Sequence, residues 1–221
     1  MKTAIYGAGS LGTVLGAYLA KAGVDVDLIT RNREHVEALN RDGAKIIGTV
    51  NMTVPVHALT PDEMTEKYEL IILQTKQLDN VNVLKNLQKN MTDDCIVCTL
   101  QNGLPELSVS EVVGEDRTMG CTVAWGATLH GKGVSELTSE PDSMSFGLGR
   151  MNGQKDDKLM QVKALLEKMK TILGERVKDV RVSTTLKNHP VCITTDGAIS
   201  MAALSATPQR TRPRVSAART L

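Results

Sequence analysis

The sequence predicts an α/β protein built on a doubly wound, mostly parallel sheet, and three observations carry that prediction. Short apolar runs alternate with segments of helical periodicity from Met1 to about Asn188. The chain opens on an apolar run, a G-x-G-x-x-G turn and a helical stretch, in that order. Lys76 and Asn102 then fall just past the ends of two later apolar runs, where sheets of this kind hold their ligands.

The first strand covers residues 3–6 and leads into Gly7-Ala8-Gly9-Ser10-Leu11-Gly12. Gly7 permits the tight turn, Gly9 lets backbone approach a pyrophosphate, and Gly12 lets helix and strand pack closely. Leu11, Leu15, Leu19 and Ala22 repeat at helical spacing up to Gly23. The N-terminus of that helix offers unpaired N–H groups and the positive end of its dipole to phosphates. A merely glycine-rich turn is the plain alternative, and the strand and helix flanking it argue for a Rossmann-type fingerprint.

Residues 24–30 form a second strand closing on Arg31-Asn32-Arg33, 19 residues beyond Gly12. NAD enzymes of this fold carry an acid there for the ribose 2′-hydroxyl. Cations replace it here, and an arginine fork suits a 2′-phosphate by charge and by paired donors, so NADP is the expected cofactor. Arg33 is read as a solvated charge.

Residues 34–40 read as a short helix, and residues 45–50 and 52–56 as a small hairpin excursion. Thr60-Pro61-Asp62-Glu63 has the pattern of a helix start with a capping box. A buried strand at residues 69–73 ends in Thr75-Lys76-Gln77, and a helix follows through Leu78, Val81, Leu84 and Leu87. The strand at 95–100 ends in Gln101-Asn102-Gly103, and another spans 117–127 with Gly126 near its end. Taken alone, Lys76 could be a solvated lysine and Asn102 a turn former. Residues 134–137 and 144–148 look like an antiparallel pair. Residues 156–173 form a periodic helix stopped by Gly174, and residues 177–182 a last strand.

A chain of 221 residues with 41% hydrophobic content can bury a real core, and a formal charge of +1 points to neither nucleic acid nor anionic membrane. Cys95 and Cys98 flank Ile96 and Val97 on a strand and so face opposite ways, which argues against a shared metal or redox pair. Buried thiols in a cytoplasmic protein are expected, and no metal. The N-terminus enters the first strand at once, without a signal peptide, and no apolar run spans a bilayer.

Together, GAGSLG, LITRNR, LQTKQ, LQNGL and GCTVAWGATLHG resemble the ketopantoate reductase family (2-dehydropantoate 2-reductases), from Met1 to about Asn188. The resemblance implies an NADPH-dependent reductase that passes hydride to the 2-keto carbon of ketopantoate, giving pantoate for coenzyme A. It implies that Gly7, Ala8, Gly9, Ser10, Leu11 and Gly12 bind the pyrophosphate and Arg31 the 2′-phosphate. Lys76 and Asn102 would line the nicotinamide and the small 2-keto acid substrate, with Gly126 near a backbone contact to the cofactor.

The family's catalytic lysine lies on the first helix of a separate helical domain. Counted on from Leu186-Lys187, its accompanying tryptophan falls at Val191 and the lysine itself at Ile193, which donates no proton. The expected organisation is therefore an NADP-binding Rossmann-like domain over 1–188 and an aberrant or disordered basic tail over 189–221, in place of the helical substrate domain. Residues 197–221 contain no acid and no lysine. Self-association through uncovered apolar surface follows as an expectation. A dinucleotide-binding module without catalysis is the alternative, and another Rossmann reductase acting on a sugar phosphate a further one.

Overall fold

In the central strands neighbouring residues are buried on opposite faces, which is why their runs read as continuously apolar. A computed structural model describes residues 1–173 and 181–182. Its elements are β1 (Thr3–Tyr6), α1 (Ser10–Lys21), β2 (Val26–Ile29), α2 (Arg33–Asp42), β3 (Ala44–Gly48), β4 (Met52–Val54), β5 (His57–Leu59), β6 (Tyr68–Leu73), α3 (Asn80–Leu87), β7 (Met91–Thr99), α4 (Pro105–Val113), β8 (Thr118–Val123), β9 (Ala127–Gly131), β10 (Val134–Leu137), β11 (Phe146–Arg150), α5 (Asp157–Leu173) and β12 (Arg181–Val182). Ala4, Ile71, Leu73, Cys95 and Val97 pack into one core layer, and Ile5, Leu70, Ile72, Ile96 and Cys98 into the other.

Eight strands form one sheet in the order β12-β11-β8-β7-β6-β1-β2-β5. Pairing is parallel from β5 through β2, β1, β6 and β7 to β8. β11 adds antiparallel to β8, and β12 lies parallel to β11. From β5 to β8 the order is that of doubly wound dinucleotide folds, with its reversal between β1 and β6. α3 and α4 pack together on one face of the sheet, and α1 and α5 on the other.

A second sheet, β4-β3-β10-β9, lies over α1. Every residue of α1 from Gly12 to Leu19 is consequently buried. This helix is wrapped on all sides, and Gly16 makes that tight fit possible: a Cβ there would stand 2.7 Å from the Leu28 side chain.

Several expectations need correction. The hairpin excursion is present as antiparallel β3 and β4, but the chain then returns to the main sheet as β5, which is too short for periodicity to reveal. Half of the Thr60 capping box forms, Thr60 N–H donating to Glu63 Oε2 at 2.8 Å, while Glu63 N–H donates to the Thr60 backbone carbonyl at 3.0 Å and the Thr60 hydroxyl stays unpaired among the described residues. Only a turn results, because the chain must re-enter the sheet at Tyr68.

Residues 134–137 and 144–148 do not pair with each other. β10 pairs with β3 and β9 in the small sheet, whereas β11 pairs with β8 in the large one. Their buried residues settle the matter: Leu137 packs with the α1 side chains, and Phe146 packs edge-on against Trp125. Leu78 was expected on the apolar face of a helix. It precedes α3 and is 90% exposed, while Leu84 and Leu87 are buried.

α5 is capped by Asp156, whose carboxylate accepts from Leu159 N–H at 2.8 Å, and Leu159, Val162, Leu166 and Met169 face the core. The expected stop at Gly174, residues 177–180 of the last strand, the boundary at 188, Val191, Cys192, Ile193 and the tail over 189–221 lie outside the described residues.

Cys95 and Cys98 enter different core layers. Burial pushes the Cys95 thiol up to about 12, and a hydrogen bond with Cys98 together with burial raises Cys121 well above its usual value. Such thiols are poor nucleophiles near neutrality.

His35 ties α2 to α1 and to the turn before β10, and it is 2% exposed. Gly133 N–H donates to its Nδ1 at 2.9 Å, so Nε2 carries the proton and faces Thr13 Oγ1 at 3.1 Å. Burial, reinforced by Lys132, holds its pKa below the usual 6.5. Below that value the unfolded chain binds a proton that the folded chain resists. The contribution of His35 is therefore complete above pH 6.5 and is lost as the pH falls. Thermal melts between about pH 7.5 and 5.5 should show this loss, and His35→Ala should flatten it. An unchanged pH slope in His35→Ala would contradict the assignment.

Candidate functional site

The turn after β1 is held by backbone bonds and by close approach. Gly7 and Ala8 N–H both donate to the Ile29 carbonyl at 2.9 Å, which fastens the turn to the end of β2. Gly7 has φ +111°, and a Cβ on it would stand 2.7 Å from the backbone of Gln74 and Thr75. A Cβ on Gly12 would stand 2.7 Å from the Gly7 carbonyl oxygen. Gly9 differs, because a Cβ there would meet nothing within 4 Å. Two glycines thus serve the protein's own packing, and the third faces open space at the start of α1. No side chain caps that helix, so its first-turn N–H groups are directed at whatever fills that space.

A cavity of about 360 Å³ joins this turn to the carboxyl ends of β6 and β7. Gly7, Gly9, Ser10, Leu11 and Gly12 line it together with Lys76 and Asn102. An adjoining cavity of about 450 Å³ shares Leu11, Leu100, Gln101, Asn102, Val123 and Trp125 and extends to Gly126. Gly126 N–H already donates to Ser139 Oγ at 2.9 Å and its carbonyl accepts from Thr138 N–H at 3.1 Å. Any backbone contact there is left to the carbonyl's second lone pair. Ala8 is fully buried and lines neither cavity.

Arg31 is exposed just past β2 and lines neither cavity. Its charge reaches Tyr6, where burial raises the phenol pKa and Arg31 opposes the rise. Another opening, of about 700 Å³, lies between α2 and β5. Its two arginines are engaged by carboxylates, Arg33 by Asp62 and Glu63 and Arg41 by Asp42, which leaves the smaller cleft as the better site.

The residues that set the strand ends relative to one another were not singled out from the sequence. Gln101 Nε2 donates to the Thr75 carbonyl at 2.7 Å and to Asn80 Oδ1 at 2.9 Å, and Asn80 Nδ2 returns a bond to Gln101 Oε1 at 2.9 Å. Asn80 also donates to Ser108 Oγ at 2.9 Å, and Thr99 Oγ1 donates to Gln101 Oε1 at 3.1 Å. This closed amide pair ties the loop carrying Lys76 to the loop carrying Asn102. Only the amide type of both residues, at the mouths of successive strands, could have signalled it.

Two polar atoms in the cleft walls are buried without a partner among the described residues, Gln74 Oε1 and Trp125 Nε1. A buried polar atom left unpaired costs about 1–3 kcal/mol. The glycine cradle, the open face of Gly9 and these orphaned atoms fit a bound dinucleotide. Among the described residues there is no cluster of three His, Cys, Asp or Glu able to hold a metal, and no helix long and apolar enough to cross a membrane.

Fold and cleft together define a Rossmann-type domain of the dinucleotide-binding class. The chain belongs to the ketopantoate reductase PanE/ApbA family, whose profile matches residues 3–150. A 2-dehydropantoate 2-reductase of Pyrococcus horikoshii is 39% identical over 137 residues, which cover 62% of this chain and 44% of that protein. One from Halobacterium salinarum is 29% identical over 170 residues, covering 74% and 54%. The chain thus spans about half the length of the curated relatives it matches.

Among solved structures, a D-mandelate dehydrogenase with NADH and anilino(oxo)acetate is 28% identical with a TM-score of 0.66, covering 76% of this chain and 53% of that one. A 2-dehydropantoate 2-reductase of Geobacter metallireducens shares the fold at TM-score 0.72 and 23% identity, over 83% and 58% of the two chains.

The glycines make opposite predictions. Gly12→Ala should destabilise the fold by about 1–3 kcal/mol, since the turn must shift. Gly9→Ala should leave stability within about 0.5 kcal/mol and yet weaken dinucleotide binding. Denaturant melts paired with NADPH titrations would separate the two, and equal stability losses would refute the division of roles.

Proposed function

We propose that this chain forms the cofactor-binding half of an NADPH-dependent reductase that converts 2-dehydropantoate to pantoate in the cytoplasm. The observation that carries the reading is the meeting of Lys76 and Asn102 with the glycine turn on one cavity wall, in a chain of this family. The unit is residues 1–188, with 189–221 as a basic tail.

When bound, the reduced nicotinamide supplies the hydride. The first turn of α1 binds the pyrophosphate through its N–H groups. Arg31 offers a planar, paired donor set to the 2′-phosphate, and neither Asp nor Glu stands in its place to prefer a bare ribose. The Lys76 ammonium and the Asn102 amide hold the 2-keto acid, where positive charge and N–H donors stabilise oxyanion character as it develops. Gln101 and Asn80 keep the two loops in register during that step. The proton donor is assigned to none of the described residues; by resemblance it belongs beyond Asn188. A dinucleotide-binding module without turnover is the competing reading, favoured by Ile193 at the counted lysine position.

Fluorescence titration with NADPH and NADH, followed by 2-dehydropantoate while the absorbance of the reduced cofactor is recorded, tests both readings. Turnover above an empty-vector control supports the reductase, and binding without turnover supports the module. Arg31→Ala should weaken NADPH by about 1–3 kcal/mol and leave NADH almost unchanged; equal losses would remove the phosphate assignment. Leu78, Leu104 and Leu107 are 90%, 49% and 63% exposed near the amino ends of the paired helices α3 and α4. Self-association through this apolar rim should appear in sedimentation and weaken in Leu78→Ser with Leu107→Ser. A monomer at high concentration in the unaltered chain would contradict it.

A further inference from the structure

Trp125 is the one tryptophan in the chain, and it stands where the two cavities of the cleft meet. Its ring is 4% exposed and is held edge-on to Phe146, with centroids 6.0 Å apart at 72°. The indole therefore has a fixed place, yet its N–H, which can only donate, has no acceptor among the described residues. Along the same walls Gln101 is committed to Thr75 and Asn80 and Ser139 to Gly126, and Gln74 Oε1, likewise unpaired, makes no hydrogen bond to the indole. A buried donor without a partner is rare and calls for an explanation.

The surroundings narrow what the partner can be. Leu11, Leu100 and Val123 line both cavities beside Trp125, and such walls suit a flat ring or a short acyl chain. Phosphate oxygens have the free N–H groups of the first turn of α1 to themselves. From these observations we propose that the Trp125 indole N–H is a recognition donor for a carbonyl oxygen of the ligand lodged where the cavities meet. Two sources share that chemistry, the carboxamide of the nicotinamide ring and the 2-oxo acid. The inference rests on the functional reading above and adds to it a residue that sets the orientation of the reacting end.

Calorimetric titrations of the full chain and of Trp125→Phe test it, with three ligands: NADPH, 2′-phospho-ADP-ribose, which lacks the nicotinamide, and 2-dehydropantoate added to chain saturated with NADPH. The Phe variant keeps an aromatic ring against Phe146 and removes only the donor and part of the ring. Loss of one hydrogen bond should weaken the affected ligand roughly fivefold to tenfold. A loss for NADPH with 2′-phospho-ADP-ribose unchanged assigns the carboxamide, and a loss confined to 2-dehydropantoate assigns the oxo acid. Either supports the proposal.

Unchanged affinities throughout would overturn it, and so would equal losses for NADPH and 2′-phospho-ADP-ribose. The unaltered chain gives a second measurement that needs no variant. Trp125 emission should fall as NADPH binds, with energy transfer to the reduced ring, and should hold steady with 2′-phospho-ADP-ribose. Emission indifferent to NADPH binding counts against the placement. If the unaltered chain bound neither NADPH nor 2′-phospho-ADP-ribose, the functional reading would fail first; binding of both without any Trp125 effect would sink the present inference alone.

Discussion

The closeness of α1 to the sheet is the constraint on which the rest of the molecule depends. Three positions without side chains set it: Gly7 against the exit of β6, Gly12 against the Gly7 carbonyl, and Gly16 against Leu28, each with room for no Cβ beyond 2.7 Å. Because the helix lies so near, its far side can in turn be roofed by the small sheet. The same closeness brings the helix N-terminus to the crest of the strands at the reversal between β1 and β6. Helix position, second sheet and cleft are consequences of one packing distance.

Buried polar groups of the large sheet are satisfied to different degrees. Near the amino ends Asp27 is 2% exposed and accepts from His57, Tyr68 and Lys2 at 2.7–3.1 Å. Burial alone would raise its pKa, but these bonds outweigh it and hold the carboxyl below its usual range. That carboxylate is thereby satisfied within the fold. At the carboxyl ends Gln74 and Trp125 keep unpaired atoms, and α1 begins without a side-chain cap. Unpaired polar atoms that line a cavity beside an uncapped helix mark where a ligand can sit.

Much of this was legible in the sequence, and the reasons for the remainder are physical. The apolar runs of β1, β6 and β7 are long enough to be buried on both faces, so their parallel placement follows from composition. The glycine turn is local, as are Arg31 beyond β2, Lys76 beyond β6 and Asn102 beyond β7. The features that sequence periodicity missed are non-local or short. β5 has three residues, and β10 takes partners from residues 44–48 rather than from its neighbour β11. The capping signal at Thr60 reports only its own bonds, not whether a helix follows. Gln101 and Asn80 are a pair across 21 residues, and no single-residue rule brings two amides together at that separation.

The edge of the large sheet at β5 carries one more consequence. Asn40 on α2 donates to the Ala58 carbonyl and accepts from the Ala58 N–H, both at 2.8 Å. Its carboxamide thus stands in for the next strand, one peptide unit long. With those groups engaged, the outer margin offers little template for another chain to extend the sheet by strand addition. A second polypeptide that meets the domain at this margin must come to it through side chains, since backbone pairing at Ala58 is closed to partner and aggregate alike.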